Sequence, residues 1–262
     1  MTEKPHSGSY ERERESAISK PMIRYYPYRT ILFVGLIVVT HLGPLTESIA
    51  SELNESDQQK IIAVLGNQLA DVTVRDLEKM TIIYKKLPGF DLFLQDLVSD
   101  DTQKTVTRER ATVWLGVTKD KTNAGFLLEH FKALMAMSSS KKVDTNVSDQ
   151  STLVAQDIEV LIGATIIGMA RAGQPELAPE LIKIGSPEYW ADCIFSASAI
   201  RGFQRLAFEA LAESGSDEAV KFFAEKKNRP GEIESVDSWN ERLKRAQLSR
   251  ELAVTTAINS QE

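Results

Sequence analysis

Ala164-Thr-Ile-Ile-Gly-Met-Ala-Arg-Ala-Gly-Gln-Pro-Glu-Leu-Ala178, with Leu181 and Ile182 just beyond it, decides the fold class. Its first half carries the apolar and small side chains of a helix that packs closely on others. Gly173 suits the left-handed position that follows a helix, because it has no Cβ to clash. Pro175 suits the first turn of the next helix, where a missing N–H costs nothing. The stretch predicts two helices joined by a very short turn.

The same pattern returns along the chain. Met169, Ala170, Gly173 and Pro175 fall 42 positions before Leu211, Ala212, Gly215 and Asp217, and the later copy leads to Phe222-Phe223 as the earlier leads to Leu181-Ile182. Upstream, Arg110-Ala-Thr-Val-Trp-Leu115-Gly116 leads through Lys119-Asp-Lys121 to Ala124 and Leu127-Leu128. Leu115 falls 54 positions before Met169, and a polar stretch after Met137 absorbs the excess.

Over residues 105 to 227 this pattern resembles HEAT-like repeats, arrays of helical hairpins whose units run roughly 40 to 47 residues. The resemblance implies a right-handed α-solenoid of stacked antiparallel hairpins, with a groove that binds a protein or peptide. Phe203, Leu206, Ala207, Ala210, Ala219 and Phe223, with Pro230 behind them, also match one unit of a tetratricopeptide-like repeat, whose period is about 34. An irregular helical bundle is the third arrangement these hairpins allow.

Working outward, the rest of the body reads as helix. Ser56 is placed to cap a helix over 57–69, Thr73-Val-Arg-Asp76 to form a capping box for a helix ending at Lys86 before Pro88, and Leu92, Phe93, Leu94 and Leu97 mark a short helix over 91–98. These three make an N-terminal helical subdomain over 51–102, ahead of a repeat region over 103–262. Further helices are predicted over 108–117, 124–137, 153–172, 175–184, 187–201, 203–213, 217–226 and 236–258. Residues 138–151 are polar, nearly without large apolar groups, and read as an exposed connector. The last helix carries Glu241, Arg242, Lys244 and Arg245 and suits a terminal cap with a wet outer face.

Ahead of this body stands an address. Arg24 and Arg29 precede the apolar run Ile31 to Val39, and Ser48-Ile-Ala50 precedes Ser51, which are the basic, apolar and small-residue parts of a secretory signal. The run falls short of the roughly 20 apolar residues that a membrane span needs. Counting on to Leu45 would place His41 in hydrocarbon and Pro44 in the helix. Residues 22–50 are therefore expected to be a signal cleaved between Ala50 and Ser51, with an uncleaved anchor over 31–45 as the alternative. Glu3, Glu11, Glu13 and Glu15 dilute the basic charge before Met22, so Met22 is the expected start and residues 1–21 are expected to be untranslated or disordered.

Beyond residue 50 the chain holds 25 basic and 32 acidic residues, a net charge near −7. Such a surface repels polyanions, so neither nucleic acid nor an anionic membrane is the expected partner. A membrane enters only through the signal or its uncleaved form. Cys193 is the one cysteine, which excludes an internal disulfide, and it reads as a small core residue.

Catalysis finds little to stand on. His130 is the last of three histidines and the only one in the body, with no second His or Cys at ligand spacing, so it reads as a packing residue rather than a metal ligand. Acids cluster at Asp91, Asp96, Asp100 and Asp101 and at Asp217-Glu218. They sit at helix ends among polar residues, not one in an apolar pocket and one in water as acid/base hydrolysis requires. No phosphate loop, serine elbow or His-Glu-x-x-His is present. No cofactor or metal is expected.

Trp114, Trp190 and Trp239 read chiefly as hairpin packing, but a concave solenoid face can use a tryptophan as an anchor. Trp114, Tyr189 and Trp190 are the candidate partner-binding residues. Asn54-Glu-Ser56 and Asn146-Val-Ser148 match the glycosylation acceptor pattern. The expected function is that of an exported, non-catalytic binder of a protein or peptide. Its rivals are a membrane-anchored structural subunit of an envelope complex and an enzyme-accessory protein, since some HEAT-like proteins are similar to bilin-chromophore lyases.

Overall fold

The computed structural model describes residues 53–68, 71–140, 149–228 and 235–259, and among these every regular element is helical. In chain order they are α1 (Glu55–Gly66), α2 (Val74–Tyr84), α3 (Phe90–Ser99), α4 (Thr105–Val117), α5 (Lys121–Ser140), α6 (Asp149–Ala172), α7 (Ala178–Ile184), α8 (Ala197–Glu213), α9 (Asp217–Asn228) and α10 (Val236–Asn259). Single 3-10 turns at Pro175–Leu177 and Pro187–Trp190 flank α7. The signal segment, its cleavage point and residues 1–21 lie outside the described residues, as does the middle of the polar connector, which α5 and α6 approach from either side. No helix among the described residues is long and apolar enough to cross a membrane.

Two terminal signals were legible as written. Thr73 Oγ1 accepts from the Asp76 N–H at 3.3 Å while Asp76 Oδ2 accepts from the Thr73 N–H at 3.1 Å, closing the capping box. Gly173 and Gly215 both take positive φ, +59° and +67°, and Pro175 and Asp217 open the next elements. Two other signals need correcting. Asn54, not Ser56, caps α1: its Oδ1 accepts from the Asp57 N–H at 3.0 Å and its Nδ2 donates back to the Asp57 carboxylate at 2.7 Å. A helix over 187–201 and a break at Gly202 are also wrong. The chain leaves helix after Trp190, restarts where Ser196 Oγ accepts from the Ala199 N–H, and runs through Gly202, a helix-interior glycine tolerated at about 1 kcal/mol.

A third turn shares the geometry of the two glycine turns. Lys119, 54 positions before Gly173, has φ +55° and is the only described non-glycine residue in that region. In all three turns the next helical element starts two residues after the left-handed residue, at Lys121, Pro175 and Asp217. The turns also lie side by side. Gln174 donates to the Lys119 carbonyl, Lys121 pairs with Glu176, Arg171 Nη1 stands 3.9 Å from Glu213, and Asp217 pairs with Arg250 of α10.

Behind this row of turns the longer helices pack in succession, α4 on α6, α6 on α8 and α8 on α10, while α5 covers α6, α7 covers α8 and α9 covers α10. At the α4–α6 crossing the backbones touch. A Cβ on Gly116 would stand 2.0 Å from the Gly168 carbonyl oxygen, and one on Gly168 would stand 2.8 Å from that of Thr112.

Helices α1 to α3 close over α4. Buried Arg110 on α4 donates through Nη1 to the carbonyls of Leu65 and Asn67 at 3.0 and 2.8 Å. Those belong to the end of α1, whose last turn has no basic residue of its own to satisfy them. Buried Asn123 donates to Asp91 and Thr118 and accepts from Gln95, joining α3 to the first turn.

Candidate functional site

The three expected anchors separate on burial. Trp114 is 0 % exposed, edge-on to Tyr84 and Phe90, and its Nε1 donates to Thr81 Oγ1 at 2.8 Å. Trp190 is 2 % exposed, stacked on Phe203, and its Nε1 donates to the Ile184 carbonyl at 2.7 Å, holding the end of α7. Both are core residues with no side-chain surface left for a partner, which corrects their assignment as anchors. Tyr189 is half-buried against Phe131, and its hydroxyl donates to Glu180 at 3.3 Å. Burial and then the Glu180 carboxylate push that phenol up to about 12, so it stays protonated and a donor. Trp239 is buried among Phe208, Phe222 and Phe223.

Of the clustered acids, Asp96, Asp101 and Glu218 are exposed, and Asp91, Asp100 and Asp217 are held by neighbours. Asp91 accepts from Asn123, and Asp100 accepts from Thr102 and Gln103 within its own turn, where those hydrogen bonds hold its carboxyl below the usual range. Asp217 is paired with Arg250. His130 stacks on Phe126 with rings 4° from parallel, and burial, with Arg108 nearby, lowers it to about 4. Among the described residues no group of three or more His, Cys, Asp or Glu is placed to hold a metal ion. Cys193 is half-buried and packed against the core.

A surface that sequence reasoning passed over lies between α9 and α10. Asp217, Val220, Lys221 and Ala224 line one side at helical spacing, and Gln247, Arg250 and Glu251 line the other, around an open groove of about 370 Å³. The spacing i, i+3, i+4, i+7 places each set on one face of its helix. Both walls carry both signs of charge, with Asp217 and Arg250 bridging them and Lys221 and Glu251 unmatched by each other.

Past this groove α10 exposes two apolar pairs, Val254 and Ile258 in line with Gln247 and Glu251 of the groove, and Leu248 and Leu252 on another side. Leu248, Leu252, Val254 and Ile258 are 57, 60, 49 and 58 % exposed. Trp239 and Ala246, seven residues apart, face the core, and Ala253, seven further on, meets the left-handed turn at Gly215. Leu248 and Leu252 stand on the opposite side. Of the charges expected on a wet terminal cap, Glu241 and Lys244 are exposed and the other two turn inward. The charged residues of 241–245 include Arg242, which is buried, and it and Arg245 both turn inward to Glu209. The apolar side chains face out alongside Glu241 and Lys244. The signal that could have found these pairs was in the sequence, as Leu248–Leu252 and Val254–Ile258 at i, i+4, both out of phase with Trp239.

No protein-family model matches this chain, and no curated protein or solved structure matches it either.

Proposed function

We propose that this chain is an exported, non-catalytic interaction protein, a HEAT-like α-solenoid whose last hairpin receives an amphipathic helix or peptide of a protein partner. The exposed i, i+4 pair Leu248 and Leu252, on the side of α10 away from the core-facing Trp239 and Ala246 and near an open groove with charges of both signs, is the observation that carries it. Isolated exposed apolar residues need no explanation, but an i, i+4 apolar pair flanked by charge has the spacing of helix-in-groove anchors. The solenoid reading is supported by the three turns of like geometry set side by side at offsets of 54 and 42 residues. Export is supported by the basic, apolar and small-residue parts of residues 22–50.

The test is affinity capture from the extracytoplasmic fraction with two baits, the natural chain and Leu248→Asp/Leu252→Asp. Both positions are exposed, so the variant keeps its fold and thermal midpoint. A partner retained by the natural chain and lost by the variant is the expected result. A partner retained equally by both moves the site away from α10, and recovery of the protein only in the cytoplasmic fraction removes the export claim.

A further inference from the structure

The chain-wide negative charge conceals one basic face. Helix α2 turns Leu77 into the core, with Met80 and Tyr84 packed beside it. Its opposite side presents Arg75 and Lys79 at a spacing of four, with Ile82 on one flank and Ile83 on the other, and exposed Lys86 follows in the turn just past its end. All five are exposed, and Ile82 and Ile83, at 70 and 65 %, are the most exposed large apolar side chains described.

Nothing in the fold accounts for this face. Two β-branched residues on a solvent-facing helix give neither packing nor helix propensity. Arg75 and Lys86 make no ion pair among the described residues, and Lys79 has only an exposed contact of 3.5 Å with Asp76, a pair worth little at the surface. The two acids of the helix stand at the edges of the face, and Asp76 is committed to the capping box with Thr73. Lys85 turns away to the Thr118 carbonyl.

We propose that this outer face of α2, with the turn that follows it, rests on an anionic lipid surface, with Arg75, Lys79 and Lys86 among the headgroup phosphates and Ile82 and Ile83 at the headgroup and acyl boundary. Charge complementarity selects the occupant. A single convex helix face that sets cations and short branched apolar groups at one depth is the pattern of an interfacial helix. Each cation near an anionic leaflet strengthens binding roughly fivefold, and the acidic remainder of the protein is screened beyond about 8 Å at physiological salt. The apolar run Ile31 to Val39, which on the export reading meets a bilayer, lies earlier in the same chain. The inference is independent of a protein partner on α10.

Sedimentation of the full chain with vesicles of phosphatidylcholine, alone or mixed with phosphatidylglycerol, tests it. The natural protein binds the mixed vesicles more tightly, and the difference shrinks as salt rises. Lys79→Glu/Lys86→Glu lowers binding to mixed vesicles at least tenfold and leaves pure phosphatidylcholine unaffected. Ile82→Ser/Ile83→Ser lowers mixed-vesicle binding severalfold. Residues 31–39 are common to all these proteins, so the differences report α2 alone. Leu248→Asp/Leu252→Asp binds vesicles like the natural chain, which keeps failure of the α10 reading separate. Equal binding to both vesicle types overturns the proposal, as does a charge-reversed protein that sediments like the natural one. Binding to polyglutamate with none to vesicles reassigns the face to an acidic protein.

Discussion

Two helix contacts in this molecule solve the same problem by opposite means. In the middle, α4 meets α6 through absence: Gly116 and Gly168 have no side chains, and the backbones touch. At the end, α8 meets α10 through bulk and charge. Glu209 accepts from Arg242 at 2.9 Å and also holds Arg245, while the Arg242 guanidinium lies over the rings of Phe208 and Trp239 at 5.8 and 5.4 Å. A contact with helices on both sides stays dry and is fixed by shape. A contact at the end of a series has water beside it, so long amphipathic side chains can seal it with their stems and keep their charges paired. The middle has no freedom to accept volume, and the end has none to lose charge.

The largest expected effect follows from the middle. Gly116→Val forces a Cβ and two methyls into the Gly168 backbone, which a side-chain rotation cannot relieve, and destabilises by about 4 kcal/mol or more. Urea denaturation measures it. Equal stability would mean that α4 and α6 are not in backbone contact. At the end, Glu209→Ala leaves buried Arg242 without its carboxylate and costs about 3 kcal/mol, while Glu209→Gln, which keeps an acceptor, costs less. If alanine and glutamine cost the same, packing and not charge holds α10.

Acid separates the two regions as well. His130 is the only histidine of the described residues, and burial lowers it to about 4 in the fold against about 6.5 in the unfolded chain. Its stabilising contribution is complete above pH 6.5, where the ring is neutral in both states. As pH falls from 6.5 toward 4 the unfolded chain takes up a proton that the fold refuses, and stability drops by about 3 kcal/mol. His130→Phe, which keeps a ring against Phe126, removes that part of the loss. Urea midpoints at pH 7 and pH 4.5 for both proteins give the difference, and identical pH dependence would show that His130 is not held neutral.

How much of this was legible in the sequence depends on whether a residue's role is local. The capping box at Thr73 and Asp76 and the left-handed turns at Gly173 and Gly215 answer to spacing within a few residues, and they were found. Trp114 and Trp190 gave no such clue, because a tryptophan reads alike in a core or a groove until its neighbours are known. The partner of Gly116 lies 52 residues away and no periodicity points to it. On α10 the apolar pairs were visible, but the charges of 241–245 outweighed them, and the inward turn of Arg242 and Arg245 depends on Glu209, which lies on another helix. The site was thus less readable than the fold, since it is made of what neighbouring helices leave uncovered.

Lys119 is where local reading failed for a physical reason, and it supplies the smallest test. It holds φ +55°, a region that costs an L-residue about 1 kcal/mol and a glycine almost nothing, in the place that Gly173 and Gly215 occupy in the later turns. Nothing described depends on its side chain, since its carbonyl is what Gln174 contacts. Lys119→Gly therefore relieves strain, less the extra freedom that glycine gives the unfolded chain, for a net gain of about 0.5 kcal/mol and a rise of one or two degrees in Tm. The reverse change grades the other turns. Gly215→Ala meets Ala253 and the Ser249 carbonyl at 3.2 Å and costs more than Gly173→Ala, whose nearest neighbour is at 3.5 Å. If the three turns do not rank in that order by thermal melting, with Lys119→Gly alone stabilising, their shared geometry is not what sets α4, α6 and α8 side by side.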